Sequence, residues 1–193
     1  MCDYEAMAAR LPPVRPPPEA VDADVAAVAA VIGPGPDLLF IRRTVQAGDP
    51  WSGQVAFPGG RAEAGDPDPV SVAVRETLEE VGLDLSSARL LGPLPVQVTL
   101  PHLPVRLAVH PFVFGLPQRV ALCTSDEVAR VLWLPLEDLL SGRGRGTLRW
   151  HWQGVGVDLP CVRLDGERLW GMTLLMVDDL LDRLRDVSGS PRR

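Results

Sequence analysis

Three carboxylates fall within five residues in the segment Arg75-Glu76-Thr77-Leu78-Glu79-Glu80, at positions i, i+3 and i+4. On a helix these positions share one face. Like charges so spaced weaken an isolated helix by about 0.2–0.5 kcal/mol per pair, so gathering them calls for a compensating positive charge. A solvated surface is the ordinary explanation of an acidic helix face. Here, though, Arg75 directly precedes the carboxylates, Phe57-Pro58-Gly59-Gly60 lies upstream and Gly82 follows. That combination points to a bound divalent cation, and an all-oxygen ligand set favours Mg²⁺ or Mn²⁺ over zinc. Glycines in the upstream loop would let backbone carbonyls or amides approach a metal or a phosphate with no side chain intervening.

Such a face needs a helix beneath it, and the surrounding sequence predicts one. Val70, Val74 or Ala73, Thr77, Leu78 and Val81 recur at three- and four-residue intervals, as one apolar helical face would. Asp68 is placed as N-cap with Pro69 in the first turn, and Gly82 closes the last turn with Leu83 able to pack back on Leu78. Upstream, residues 25–32 and 38–41 read as two buried strands in a hairpin around Gly33-Pro34-Gly35-Pro36, although the alanines of the first run leave helix open. A short strand over 54–57 leads into the Gly-Gly loop. Downstream, 90–98, 107–114 and 128–134 read as strands and 135–140 as a short helix. Residues 149–153 and 161–164 suggest a further hairpin, and 172–184 a closing amphipathic helix. The outcome is one α/β domain over 21–187, between a proline-rich extended arm over 1–20 and a flexible tail over 188–193.

Residues 60–83 resemble the Nudix box: glycine, five residues, an acid, seven residues, then Arg-Glu-apolar-any-Glu-Glu-any-Gly-apolar. The second half fits from Arg75 to Leu83, with Thr77 where an aliphatic residue is usual. Asp66 stands at the first acid, but eight residues separate it from Arg75, and the extra one falls in the loop over 65–69. That insertion takes weight from Asp66 and not from Glu79 or Glu80. The flanks Ser52-Gly53-Gln54-Val55-Ala56-Phe57-Pro58-Gly59-Gly60 and Trp170-Gly171-Met172-Thr173 are similar to the coenzyme A diphosphatase branch, and the resemblance spans residues 25–185.

The resemblance implies a Nudix fold, a mixed β-sheet sandwiched between α-helices. It implies metal-dependent hydrolysis of the diphosphate bond in a nucleoside diphosphate linked to another group, with coenzyme A or a derivative leading. Dinucleotides, nucleotide sugars and nucleoside triphosphates are the alternative substrates, and a catalytically silent binding module is the alternative role. Glu79, Glu80 and the Gly60 carbonyl would bind the metal, Glu76 would complete that site or take a proton from water, and Arg75 would orient Glu76. An acid outside the box often joins such sites, and Asp126-Glu127 is the candidate. Arg42-Arg43, at a strand end, offers guanidinium groups for a substrate phosphate. The segment from Arg43 to Pro50 departs from the longer signature of the coenzyme A branch.

A formal net charge of −6 argues against a chain that grips nucleic acid, and no stretch approaches the roughly 18 apolar residues of a membrane span. The partner expected is a small molecule, with a homodimer left open. Cys2, Cys123 and Cys161 have neither disulfide-framework nor zinc spacing, which fits the cytoplasm. His102, His110 and His151 are isolated and read as structural. Among the five tryptophans, Trp51 precedes the Gly-Gly segment and is the one to test for stacking on a nucleobase.

Overall fold

The alanine-rich run that left strand and helix open is a strand, and it forms the middle of the fold. The computed structural model describes residues 3–13, 24–47, 51–99, 106–152 and 155–185. In chain order the first elements are α1 (Tyr4–Ala8), β1 (Asp24–Ile32), β2 (Asp37–Arg43), β3 (Val55–Ala56), β4 (Gly59–Arg61) and α2 (Pro69–Val81). Then come β5 (Arg89–Pro93), β6 (Gln97–Val98), β7 (Leu107–Gly115), β8 (Val128–Pro135) and α3 (Leu136–Leu140). The last are β9 (Arg145–Trp152), β10 (Val155–Leu164), β11 (Glu167–Trp170) and α4 (Gly171–Arg185).

β1 pairs in parallel with β7 from Asp24↔Leu107 to Ile32↔Gly115, and its alternate residues enter a core on each face of the sheet. A strand buried on both faces reads as a continuous apolar run, which is why its period did not identify it. Its other edge is divided. β2 meets it antiparallel at Ile32↔Leu38, whereas β4 takes Ala26 to Val28. β2 continues to β3 and β8, and β5 and β6 extend the sheet beyond β7, giving a mixed eight-stranded sheet. The strand expected over 90–98 is therefore two strands. Leu94 N–H donates to the Pro111 carbonyl and Pro95 has no N–H for a ladder, so pairing breaks there.

Residues alternate between two cores. Ala27, Ala29, Val31, Leu39, Ile41, Phe112 and Phe114 pack with Val72, Ala73 and Val81 of α2. On the reverse face Leu38, Phe40, Val113, Leu132 and Leu134 pack with Leu174, Val177, Leu180 and Leu181 of α4. A second antiparallel sheet, in the order β11-β10-β9, adjoins α4, and the expected hairpin is its β9–β10 pair.

Two expectations change. Residues 3–13 are not an extended arm: α1 is capped by Asp3, the Tyr4 hydroxyl lies 2.8 Å from the Leu116 carbonyl, and Leu11 is buried in the α4-side core. The proline-rich stretch over 14–20 and the tail over 188–193 lie outside the described residues. Second, α2 buries Val72, Ala73, Thr77, Glu80 and Val81, while Leu78 is 50% exposed, so Leu78 lies outside the buried stripe. The buried stripe is rotated toward the carboxylates, because Glu80 itself is directed inward.

Candidate active site

The ends of α2 are set as the sequence predicts. Asp68 accepts from Ser71 N–H, Pro69 occupies the first turn, and Gly82, at φ 66°, donates to the Leu78 carbonyl. A strap secures two further carbonyls at the C-terminus: Cys123 N–H donates to Val81 at 3.0 Å and Ser125 N–H to Glu80 at 2.9 Å. The same strap runs directly into Glu127, whose carbonyl accepts from Thr44 N–H at 2.9 Å. Helix end, strap and the end of β2 are thus one hydrogen-bonded unit. Thr77 is tolerated where an aliphatic residue is usual because its buried hydroxyl donates to the Ala73 carbonyl at 2.6 Å.

Arg75 is the hub. Its Nε and Nη2 hold the two oxygens of Asp66 at 3.2 and 2.9 Å, Nη2 also reaches the Arg61 carbonyl at 3.0 Å, and Nη1 bridges Glu76 and Glu79, each at 3.0 Å. The bidentate Asp66 pair is the geometry a planar guanidinium favours. It corrects the sequence expectation, since the inserted loop residue leaves Asp66 fully engaged. The Arg75 hydrogen bond, with a second from Glu63 N–H, holds the Asp66 carboxyl below its ordinary range. Asp66, and through it the 61–66 loop, thereby fixes where Arg75 presents Glu76 and Glu79.

The carboxylates that share a helix face in projection have three different environments. Glu79 is 56% exposed and bound by Arg75. Glu76 lies over Gly60, where a Cβ would come within 2.3 Å of its carboxyl carbon. Burial raises its carboxyl above the ordinary value, partly offset by Arg75. Glu80 is 4% exposed and accepts from Gly59 N–H at 2.8 Å. Burial pushes its carboxyl up to about 7, against the pull of the Gly59 N–H. Glu76 and Glu127 push it further and Arg43 draws it back, which brings Glu127 and Arg43 into this cluster. Gly59 itself, at φ 152°, passes so close to β1 that a Cβ would lie 2.3 Å from the Ala27 carbonyl oxygen.

Among the described residues no three His, Cys, Asp or Glu side chains already stand as a metal-binding group. Glu76 and Glu79 are turned to Arg75 and Glu80 to Gly59 N–H. The donor set nevertheless fits a hard divalent cation, since it is all carboxylate oxygen, the Glu76 oxygens occupy the space that a side chain at position 60 would need, and Glu76 and Glu127 both raise the buried Glu80 carboxyl.

Other candidates are not brought here. Arg42 pairs with Glu167 at 3.3 Å rather than joining Arg43. Trp51 is half-buried against the α4-side core. His110 is half-buried on β7 with its basicity lowered by burial, His151 lies on β9, and His102 lies outside the described residues. Cys123 is exposed and Cys161 buried, both as free thiols.

The NUDIX domain profile matches residues 23–151. The chain belongs to the Nudix family. The matched span holds every Nudix-site residue described above and ends within β9, leaving β10, β11 and α4 beyond it. The Nudix hydrolase NudL of Yersinia pestis, uncharacterised, is 31% identical across 78% of this chain and 74% of its own length. The human mitochondrial coenzyme A diphosphatase NUDT8 is 32% identical across 81% of this chain and 66% of its own. An uncharacterised Schizosaccharomyces pombe protein is 40% identical over 111 residues, and the chain spans 33% of its length. Two solved Nudix structures share the fold at low identity. The MutT NUDIX hydrolase of Burkholderia pseudomallei has a TM-score of 0.54 at 19% identity, covering 82% of this chain and 98% of that one. The NUDIX domain of Shewanella oneidensis NrtR, solved with ADP ribose, has a TM-score of 0.54 at 13% identity, covering 98% of this chain and all of its own.

Proposed function

We propose that this Nudix protein hydrolyses the diphosphate bond of a nucleoside diphosphate linked to another group, with coenzyme A or a derivative as the leading substrate and Mg²⁺ or Mn²⁺ as cofactor. The observation that carries the reading is the buried Glu80 carboxyl beside Glu76 and Glu127, over a Gly59-Gly60 backbone that leaves room for nothing larger. Glu79, Glu80 and the Gly60 carbonyl would hold the cation. When bound, such an ion neutralises phosphoryl oxygens and acidifies water.

The chain's own residues supply the rest. Glu76, shielded by burial, accepts a proton from the attacking water, or completes the ion's ligand set in its place. Arg75 keeps Glu76 oriented through the fork to Asp66. Water adds to one phosphorus, the bridging P–O bond breaks, and two phosphate monoesters leave. The name of the human relative, a coenzyme A diphosphatase, favours coenzyme A among such substrates. We place the reaction in the cytoplasm, with a small molecule as partner and no nucleic acid.

Incubation with coenzyme A, dinucleotides, nucleotide sugars and nucleoside triphosphates, with product analysis, should find coenzyme A cut with the highest kcat/KM. Excess chelator should abolish turnover and Mg²⁺ or Mn²⁺ should restore it. Full activity in chelator would overturn the metal-dependent reading, whereas a different preferred substrate would overturn only the coenzyme A assignment.

A further inference from the structure

Successive strand residues project to opposite faces, so Arg42 and Arg43 part company at the end of β2. Arg43 belongs to the α2 side, where its charge reaches Glu80. Arg42 belongs to the side of Leu38 and Phe40, and Arg130 of β8 lies directly opposite it in the antiparallel register. A bulge between Arg42 and Arg43 maintains this division, by bringing Arg43 into register with Val128. Two guanidinium groups therefore face each other on adjacent strands, an arrangement that weakens strand pairing unless an anion lies between them.

Glu167 of β11 supplies one carboxylate oxygen to both. Arg42 Nη1 is 3.3 Å and Arg130 Nη1 3.4 Å from the same Oε1, and Arg130 Nη2 is 3.1 Å from Asp165 Oδ2. Charge-assisted bonds of good geometry are usually about 2.7–2.9 Å long. These contacts engage three of the ten N–H donors on the two guanidinium groups. Both side chains remain about half exposed, at 46% and 52%, while Glu167 is only 10% exposed. A brace between the β10–β11 hairpin and the main sheet needs one arginine. Two convergent forks sharing a recessed acceptor hold their remaining donors toward solvent, which suits a second, multivalent anion.

We propose that Arg42 and Arg130 form a second anion site, which takes a phosphate monoester carried by the substrate away from the scissile diphosphate. The inference rests on the catalytic reading above. Arg42 and Arg43 are consecutive but project to opposite faces at the end of β2. A ligand whose diphosphate lies by Arg43 and Glu80 therefore folds over the end of β2 to place a terminal phosphate on Arg42 and Arg130. Three acceptor oxygens on a monoester match donors that a single carboxylate oxygen leaves unused.

The test compares adenosine 3′,5′-bisphosphate with adenosine 5′-monophosphate, each titrated into the full chain by calorimetry with Mg²⁺ present. The wild type should bind the bisphosphate roughly tenfold more tightly. Arg42→Ala and Arg130→Ala should each lose most of that preference while still binding the monophosphate, and Arg42→Lys, which keeps the charge but not the fork, should keep part of it. No preference in the wild type, or a preference untouched in both alanine variants, overturns the site. Coenzyme A hydrolysis is followed separately. If coenzyme A is not cut but the preference behaves as expected, the anion site stands and the substrate reading falls; if it is cut without any preference, the reverse holds.

Discussion

Glu80 combines an ionisable group, deep burial and a single backbone donor, and this makes it a measurable liability in the metal-free protein. Its carboxyl is raised from 4.5 to about 7 in the fold, so between those values the folded state holds a proton that the unfolded chain has released. Stability from this group is therefore lost as pH rises through that window, by an amount on the order of 3 kcal/mol. Glu80→Gln keeps an acceptor for Gly59 N–H and removes the titration. In chelator, the stability difference between variant and wild type should grow from near zero at pH 4.5 to that magnitude at pH 7.5, by urea unfolding; a flat difference would show that Glu80 stays ionised at no cost. With metal present the same variant should lose activity by orders of magnitude. Asp66 acts one step away from the chemistry, by holding Arg75. Asp66→Ala should lower kcat about ten- to hundredfold, as loss of a supporting partner commonly does, with little change in thermal midpoint. An unchanged kcat would reduce the fork to a surface ion pair.

At the scale of elements, β4 is what aligns the site with the sheet. It pairs with Ala26 to Val28 of β1, on the edge that β2 leaves free, and so carries Gly59 and Gly60 beneath α2. The junction tolerates no side chain at Gly59, where φ is 152° and the Ala27 carbonyl oxygen is 2.3 Å from any Cβ. Gly59→Ala should destabilise by roughly 2–4 kcal/mol, combining backbone strain with an overpacked contact. It should also cost activity, because the Gly59 N–H that holds Glu80 must shift. Denaturant unfolding and a rate assay of the same preparation check both, and a variant of wild-type stability would mean that β4 can leave β1 without consequence. The strap over 122–127 does for the other end of α2 what β4 does for the middle. It satisfies two helix carbonyls and delivers Glu127, so helix position and acid position are coupled.

For the whole molecule, the sheet sets the carboxylates apart from the face that carries Arg42 and Arg130 at its end. α2 and the carboxylates occupy one face, whereas α4 and α1 cover the other. Residues 3–13 help close that second face. Tyr4 lies against Gly115 and reaches the Leu116 carbonyl, Leu11 sits against Gly92, Arg10 donates to the Leu184 carbonyl at 3.2 Å, and Glu5 pairs with Arg89. Leu11→Ala should cost about 2 kcal/mol, at the low end for a buried leucine because the site borders the surface. In a chain of this size that is a fall of roughly 4–8 °C in Tm. The kcat should be unchanged, since this face carries none of the carboxylates. A differential scan and a rate measurement would separate a supporting segment from one that takes part in turnover. No described helix is long and apolar enough to cross a membrane.

The helix and its caps were legible in the sequence, because Asp68, Pro69 and Gly82 act on backbone groups within a few residues of themselves. The acidic cluster was legible for the same reason, since spacing on one helix fixes which carboxylates are neighbours. The partners that decide what each carboxylate does come from elsewhere in the chain. Asp66 reaches Arg75 across an inserted loop, Gly59 meets Glu80 across a strand, and Glu127 arrives from beyond β7. The rotation of α2 that buries Glu80 and exposes Leu78 is likewise a packing decision against β1 and β4, and periodicity alone did not settle it. Neither did it divide Arg42 from Arg43. Adjacent in sequence, they stand as one basic pair, and only the pleat, the bulge and the position of β11 send one to the buried carboxylates and the other to Glu167. Local hydrogen bonding is written in consecutive residues, whereas burial and long-range charge pairing exist only once the sheet has formed.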